Sequence, residues 1–235
     1  MNAAEIFHKV TEAGSKIRIK LLGDSITHGV GGTGFAQDGE EIVPGWNRNP
    51  NGYCWAKKFQ EYMESHYNCE VINNGCTGIT AQFILEHWTE LVDAEDDIIL
   101  CTIGTNNRNQ FFDDLPKHTR EEHMEVLYRA VLEIHERLKA SGVLYVMVAN
   151  IPAAAANEVD GADFYRVFHM NDVNDLYKKA AKETGFPFIS LYDRFTDYCR
   201  AQGIAVESLL FDGLHPNDTG YDVIYELLMK EIGLS

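Results

Sequence analysis

Between positions 143 and 148, the residues Val143, Leu144, Val146, Met147 and Val148 follow one another without apolar–polar alternation. A strand with one wet face alternates, whereas a strand covered on both faces does not. Similar short runs occur at Ile17–Leu22, Glu70–Ile72, Ile98–Thr102 and Phe188–Ser190. Longer amphipathic stretches separate them, over roughly Trp55–His66, Thr80–Leu91, Arg120–Ala140, Phe164–Thr184 and Thr219–Glu231. Gly142 after Lys139 and Gly185 after Lys182 are helix stops. Strand and helix in alternation predict an α/β fold, with a central parallel sheet of about five strands between two helical layers. No repeat, low-complexity tract or linker interrupts the pattern, so residues 1–235 are expected to form a single domain.

In an open α/β sheet, ligands bind at the carboxyl edge. Ser25, Gly78, Asn106 and the segment after Ile151 each follow a strand-like run and should converge there. The first run ends in Gly23-Asp24-Ser25-Ile26-Thr27, and Phe211-Asp212-Gly213-Leu214-His215-Pro216 precedes the last amphipathic stretch. These segments hold the parts for nucleophilic acyl transfer. A serine hydroxyl is too weakly acidic to attack an ester unaided. An imidazole must take its proton, and a carboxylate must fix the tautomer and orientation of that imidazole. The expected roles are Ser25 as nucleophile, His215 as general base and then acid, and Asp212 as its orienting partner. Taken alone, each has a plainer reading: Ser25 or Asp24 caps a helix, Asp212-Gly213 makes a turn, and His215 is a loop residue.

Two intervening segments give these parts a context. With Asn73-Asn74-Gly75-Cys76-Thr77-Gly78-Ile79-Thr80 and Gly104-Thr105-Asn106-Asn107, the chain resembles the SGNH hydrolases, also called the GDSL esterase and lipase family. Its four motif blocks stand in order between residues 23 and 215. The resemblance implies a flavodoxin-like three-layer α/β/α sandwich. It also implies an oxyanion hole made by the Ser25 and Gly78 N–H groups and the Asn106 side chain. Each such donor is worth ~3–4 kcal/mol to the transition state. Asn107 stands where the family usually has an aspartate that supports the site from behind. Asp24, Asn73 and Asn107 are expected to brace the site's loops.

Composition limits the partners. Twenty Lys and Arg against 36 Asp and Glu leave a formal net charge of −16, which disfavours nucleic acid and anionic lipid surfaces. Neither a signal peptide nor a run of ~20 apolar residues able to span a bilayer is present in the sequence, and a cytoplasmic location is the expectation. The five cysteines have no C-x-x-C spacing, so Cys69 and Cys101 read as reduced core residues. Gly29-Val30-Gly31-Gly32-Thr33-Gly34 contains G-x-G-x-x-G, but Asp24 to His28 separate it from the strand and no apolar helix follows. It reads as a mobile glycine-rich flap. No cofactor and no metal are expected, and a homo-oligomer is left open.

Residues 29–53, Arg108 with Phe111 and Phe112, and Ala153 to Phe164 are insertions expected to overhang the site. Trp46, Arg48 and Arg108 are candidates for contact with a small-molecule ester. The expected activity is a serine esterase favouring short acyl groups, such as acetyl on a carbohydrate or small alcohol. A lysophospholipase or thioesterase is the alternative, and a non-catalytic binding protein a more distant one.

Overall fold

A computed structural model describes residues 1–114 and 118–234. Five parallel strands form the central sheet: β1 (Ile17–Gly23), β2 (Cys69–Gly75), β3 (Ile98–Thr102), β4 (Leu144–Ala149) and β5 (Phe188–Ser190). Their spatial order is β2-β1-β3-β4-β5. The chain thus steps outward on one side of β1 and returns to build the rest on the other. Ligand crevices open at such a reversal.

Side-chain alternation within each strand feeds two separate cores. Ile19, Leu21, Ile98, Leu100, Val146 and Val148 pack on one face. Against them lie α1 (Ala3–Glu12), α3 (Trp55–His66), α8 (Leu191–Gln202) and α9 (Asp218–Glu231). Leu22, Ile99, Cys101, Tyr145 and Met147 face the other way. There they meet α4 (Ala81–Glu86), α5 (Trp88–Leu91), α6 (Arg120–Ser141) and α7 (Met170–Thr184). The four-residue helix α2 (Ser25–His28) sits between the layers at the end of β1. Lys20 is buried on β1 and is held by Asp93 at 2.6 Å and Asp96 at 2.9 Å, so its charge is paired.

Four of the five sequence-predicted strands match within one residue at each end, the run Glu70–Ile72 extends to Cys69–Gly75, and two of the helices need correction. The stretch Thr80–Leu91 breaks at His87, where the backbone turns to φ −104° and ψ 29°. The stretch Phe164–Thr184 begins as a strand: Phe164–Arg166 pairs antiparallel with Asn109–Phe111. The helix starts only at Met170, where the Asp172 carboxylate accepts from the His169 N–H at 2.8 Å. Helices α1 and α8 add to the reading. Asn2 and Glu5 form a capping box ahead of α1, and Ser190 caps α8.

Candidate active site

Register explains why the motif residues meet. Gly23 pairs with both Gly75 and Thr102, and Thr102 pairs with Val148. The carboxyl ends of β1 to β4 therefore stop at one level, and the residues that follow each strand share one edge. After β1 the chain turns sharply into α2. A Cβ on Gly23 would lie 2.1 Å from Thr27 Oγ1, so only glycine permits this turn. Asp24 caps α2 by accepting from the Ile26 N–H at 3.0 Å, and Ser25 opens the helix.

His215 and Asp212 reach Ser25 from the loop that leads into α9. The His215 ring has Nε2 2.8 Å from Ser25 Oγ and Nδ1 2.7 Å from Asp212 Oδ2. An ionised carboxylate can only accept, so Nδ1 carries the proton and Nε2 offers its lone pair to the serine hydroxyl. Asp212 Oδ1 meanwhile accepts from the Leu214 N–H at 3.0 Å and the His215 N–H at 2.8 Å. Partial burial pushes the Asp212 carboxyl upward. The His215 ring and these two N–H groups outweigh it and hold the group below its ordinary value of 3.8. Asp212 stays charged wherever a histidine base is of use.

Gly78 and Asn106 follow β2 and β3 and line one cavity of about 280 Å³. Gly78 has φ +82°, and nothing among the described residues lies within 4 Å of where its Cβ would be. The left-handed backbone, not crowding, is what calls for glycine there. One N–H of the Asn106 amide is spent on Ile79 O at 2.8 Å, which leaves its second N–H available. Asn107 lines the same cavity, but both ends of its amide are engaged. Its Oδ1 accepts from Ala81 N–H at 2.9 Å and its Nδ2 donates to Gln82 Oε1 at 2.7 Å, so it fastens the start of α4. Asn73 donates to Thr27 O at 2.9 Å and accepts from Gly75 N–H at 2.8 Å, which ties β2 to the nucleophile turn.

Asp24 is fully buried beside Ser25. Its second oxygen accepts from Asn150 Nδ2 at 2.9 Å, and the same amide donates to Thr105 Oγ1 at 2.8 Å. Burial raises the Asp24 carboxyl above its ordinary value, and hydrogen bonds from Thr105, Ile26 and Asn150, with the nearby charge of His215, pull it partly back. His28, at the end of α2, is also buried. Its Nδ1 lies 3.1 Å from Thr77 Oγ1, while Nε2 has no partner among the described residues. Burial lowers its pKa to about 4, so it is neutral at pH 7. A buried nitrogen left unpaired costs about 1–3 kcal/mol.

Residues 21–223 match the model of the GDSL-like lipase/acylhydrolase family. The chain belongs to that family. Membership makes it an ester hydrolase of the GDSL type. It is 24% identical over 215 residues to the isoamyl acetate-hydrolyzing esterase of Saccharomyces cerevisiae, covering 90% of this chain and 84% of the yeast protein. Among solved structures, it resembles the acetylxylan esterase Axe2 of Geobacillus stearothermophilus with TM-score 0.66 and 21% identity, over 94% and 96% of the two chains. It also resembles LAE5, an α/β hydrolase from the metagenome of Lake Arreo, Spain, with TM-score 0.68, 21% identity and the same coverage. Catalytic mutants of Axe2 replace a serine, an aspartate and a histidine, the last two three positions apart.

Within this GDSL hydrolase, several residues expected at the substrate have other work. Arg108 is wholly buried: Nε donates to Thr105 O at 2.9 Å and Nη1 to Glu158 at 2.6 Å. Trp46 is buried against Phe83 and donates to Gly75 O at 3.1 Å. Arg48 pairs with Glu40 at 3.5 Å. Arg108 and Trp46 brace the loops, while Arg48 is held only by its pairing with Glu40. The glycine-rich segment is also not a free flap. Thr33 N–H donates to Asp218 at 2.8 Å, Tyr221 donates to Val30 O at 2.7 Å, and Gly31 abuts His215 and Pro216. Thr105, Asn150, Thr77 and His28 are additions to the site. Asn150 had a signal, since it follows the end of a strand just as Ser25 and Asn106 do. Among the described residues, no cluster of three His, Cys, Asp or Glu could hold a metal ion, and no helix is long and apolar enough to cross a membrane.

Proposed function

We propose that the chain hydrolyses small esters through an acyl-enzyme on Ser25. The observation that carries this reading is the unbroken path from Ser25 Oγ to His215 Nε2 at 2.8 Å and from His215 Nδ1 to Asp212 at 2.7 Å. Ser25 Oγ attacks the ester carbonyl carbon as its proton passes to His215 Nε2. The carbonyl oxygen becomes an oxyanion, held by the N–H groups of Ser25 and Gly78 and the free N–H of Asn106. The C–O bond to the alcohol then breaks, and His215 returns the proton to the departing oxygen. Water, deprotonated by the same nitrogen, attacks the acyl-enzyme and releases the acid and Ser25.

Short acyl groups fit best. The cavity beside Gly78 and Asn106, about 280 Å³, is at the small end for ligand sites, which run ~300–1,000 Å³. Phe111 and Val126 line it beside the polar Thr80, Gln82, Asn109, Asp114 and His123, so its small volume rather than its polarity is what limits the acyl chain. The yeast relative and Axe2 are both named for acetyl esters, which supports acetyl as the group removed here.

A p-nitrophenyl ester series from acetate to octanoate, run on wild type beside Ser25→Ala, tests both parts. Wild type should be fastest on acetate, and Ser25→Ala should lose on the order of 10⁴-fold or more in kcat. Equal rates for the two proteins would overturn the Ser25 acyl-enzyme. A maximum at octanoate would overturn the short-acyl preference and favour a lysophospholipase or thioesterase.

A further inference from the structure

Besides Asp24, which braces the strand ends, the reaction scheme leaves a second buried titratable side chain near the nucleophile without a task. His28 ends the helix that Ser25 begins, and it is 1% exposed. Its ring stands edge-on to Phe35 with centroids 5.2 Å apart. A purely packing role there would suit an apolar ring, which would leave no nitrogen stranded as Nε2 is. Among the described residues, the one hydrogen bond the ring makes leads to Thr77 Oγ1 at 3.1 Å. Thr77 immediately precedes Gly78, and both residues are exposed on a loop outside any helix or strand.

The Gly78 peptide therefore lies between two ties. On one side, His28 holds the Thr77 side chain from the nucleophile helix. On the other, the Asn106 amide holds Ile79 O at 2.8 Å. The direction of the Gly78 N–H depends on the torsions between Thr77 and Gly78, and glycine at φ +82° has little intrinsic preference of its own. The Ser25 turn also seats directly on this strand end, since a Cβ on Gly75 would fall 2.5 Å from the His28 nitrogen. The nucleophile and the oxyanion loop are thus registered by backbone contact at Gly75 and by a side-chain hydrogen bond at Thr77.

We infer that His28 is a positioning residue, which through Thr77 aims the Gly78 N–H at the oxyanion formed on the Ser25 adduct. This rests on the serine-esterase reading. It does not require His28 to touch substrate or to transfer a proton. The tie matters most when the oxyanion carries full charge, so its loss should lower kcat and leave KM nearly unchanged.

The test compares wild type, Ser25→Ala, His28→Phe, Thr77→Val, the double variant and His28→Asn, using p-nitrophenyl acetate kinetics and the rate of labelling by a fluorophosphonate. His28→Phe fills the same apolar space without the hydrogen bond. Thr77→Val keeps the shape of an exposed side chain, so neither change threatens folding, and thermal melts check this. The expected result is a ~10-fold fall in kcat and in labelling rate for His28→Phe and for Thr77→Val, with no further fall in the double variant. His28→Asn, whose carboxamide reaches the position of Nδ1, should recover most of the loss. Wild-type kcat in Thr77→Val would overturn the inference, whatever His28→Phe does, because His28 would then act by packing alone. Additive losses in the double variant would overturn it too. Wild type matching Ser25→Ala in both assays would instead refute the esterase reading on which it stands.

Discussion

Asp24 and Asn150, 126 positions apart in the chain, are joined by a 2.9 Å hydrogen bond next to Ser25. The bond belongs to a closed set in which Thr105 and the Ile26 N–H also serve the Asp24 carboxylate. It locks the end of β1 to the ends of β3 and β4, and so sets Ser25 relative to Asn106. Burial disfavours the charged form and raises the Asp24 pKa. A carboxyl whose folded pKa is raised contributes its full stability below its unfolded value and loses it as pH rises through the folded one. Ionising Asp24 therefore works against folding.

Asp24→Asn should separate these two effects. The new carboxamide is neutral, and Asn150 can rotate to offer its Oδ1, which has no partner among the described residues. The variant should melt at or above the wild-type temperature at pH 7, while its kcat for p-nitrophenyl acetate falls as the favourable interaction of Asp24 with His215 is lost. A lower melting temperature at pH 7 would mean that the hydrogen bonds more than offset the burial.

Much of this arrangement was legible in the sequence, and the reason lies in which features are local. The unalternating Val143–Val148 run announces a strand covered on both faces. Asp212 and His215 carry their relationship in a three-residue spacing. Arg108 misled because a cation just after Asn106 and Asn107 resembles a substrate ligand. Its partner Glu158 is 50 positions away, and no local pattern signals the pairing. Trp46 misled in the same way, since its partner Gly75 O belongs to a neighbouring strand end. The Phe164–Arg166 strand was hidden because it is only three residues long and its pairing partner, Asn109–Phe111, lies over 50 residues earlier. Helix α1 did carry a visible signal, the Asn2 and Glu5 capping box.

Arg108 offers a stability prediction. It is buried and pairs with the half-buried Glu158, and burial lowers its guanidinium to about 10 without discharging it at pH 7. Removing one partner of a buried pair leaves an uncompensated charge, at about 3–5 kcal/mol. Arg108→Met should therefore cost about that much in urea denaturation. Restoring neutrality with Glu158→Gln in the same chain should recover part of it. A loss below about 1 kcal/mol for Arg108→Met would mean that the Glu158 carboxylate finds water.

Acid sensitivity should trace in part to His28. Burial depresses its pKa from 6.5 to about 4. Between these two values the unfolded chain binds a proton that the folded chain refuses, so stability falls as pH drops from about 6.5 to about 4. The full span corresponds to a loss on the order of 3 kcal/mol. Asp212 behaves differently: its lowered pKa keeps its contribution intact until pH falls below the ordinary carboxylate value of 3.8. Urea midpoints taken at half-unit steps from pH 7.5 to 4.5 should show a decline that His28→Phe flattens. Parallel curves for the two proteins would place the acid sensitivity elsewhere.

Gly31 tests how closely the histidine loop is held. Its φ is +97°, and a Cβ there would lie 2.5 Å from Pro216 O, 3.1 Å from His215 Cβ and 3.2 Å from Phe211 Cβ. All three of these atoms are backbone or bonded directly to it, so the loop itself must move, and His215 moves with it. Misplacing a reacting group by about 1 Å can cost ~100-fold in rate. Gly31→Ala should therefore lower kcat by roughly that factor. Gly34 supplies the control, because its φ of +74° imposes similar backbone strain while nothing among the described residues lies within 4 Å of its Cβ position. Gly34→Ala should lose about 1–2 kcal/mol of stability from the left-handed backbone and keep its kcat. Steady-state kinetics and thermal melts on the two variants separate strain from displacement: equal losses of kcat would show that backbone strain alone, rather than contact with His215, disturbs the site.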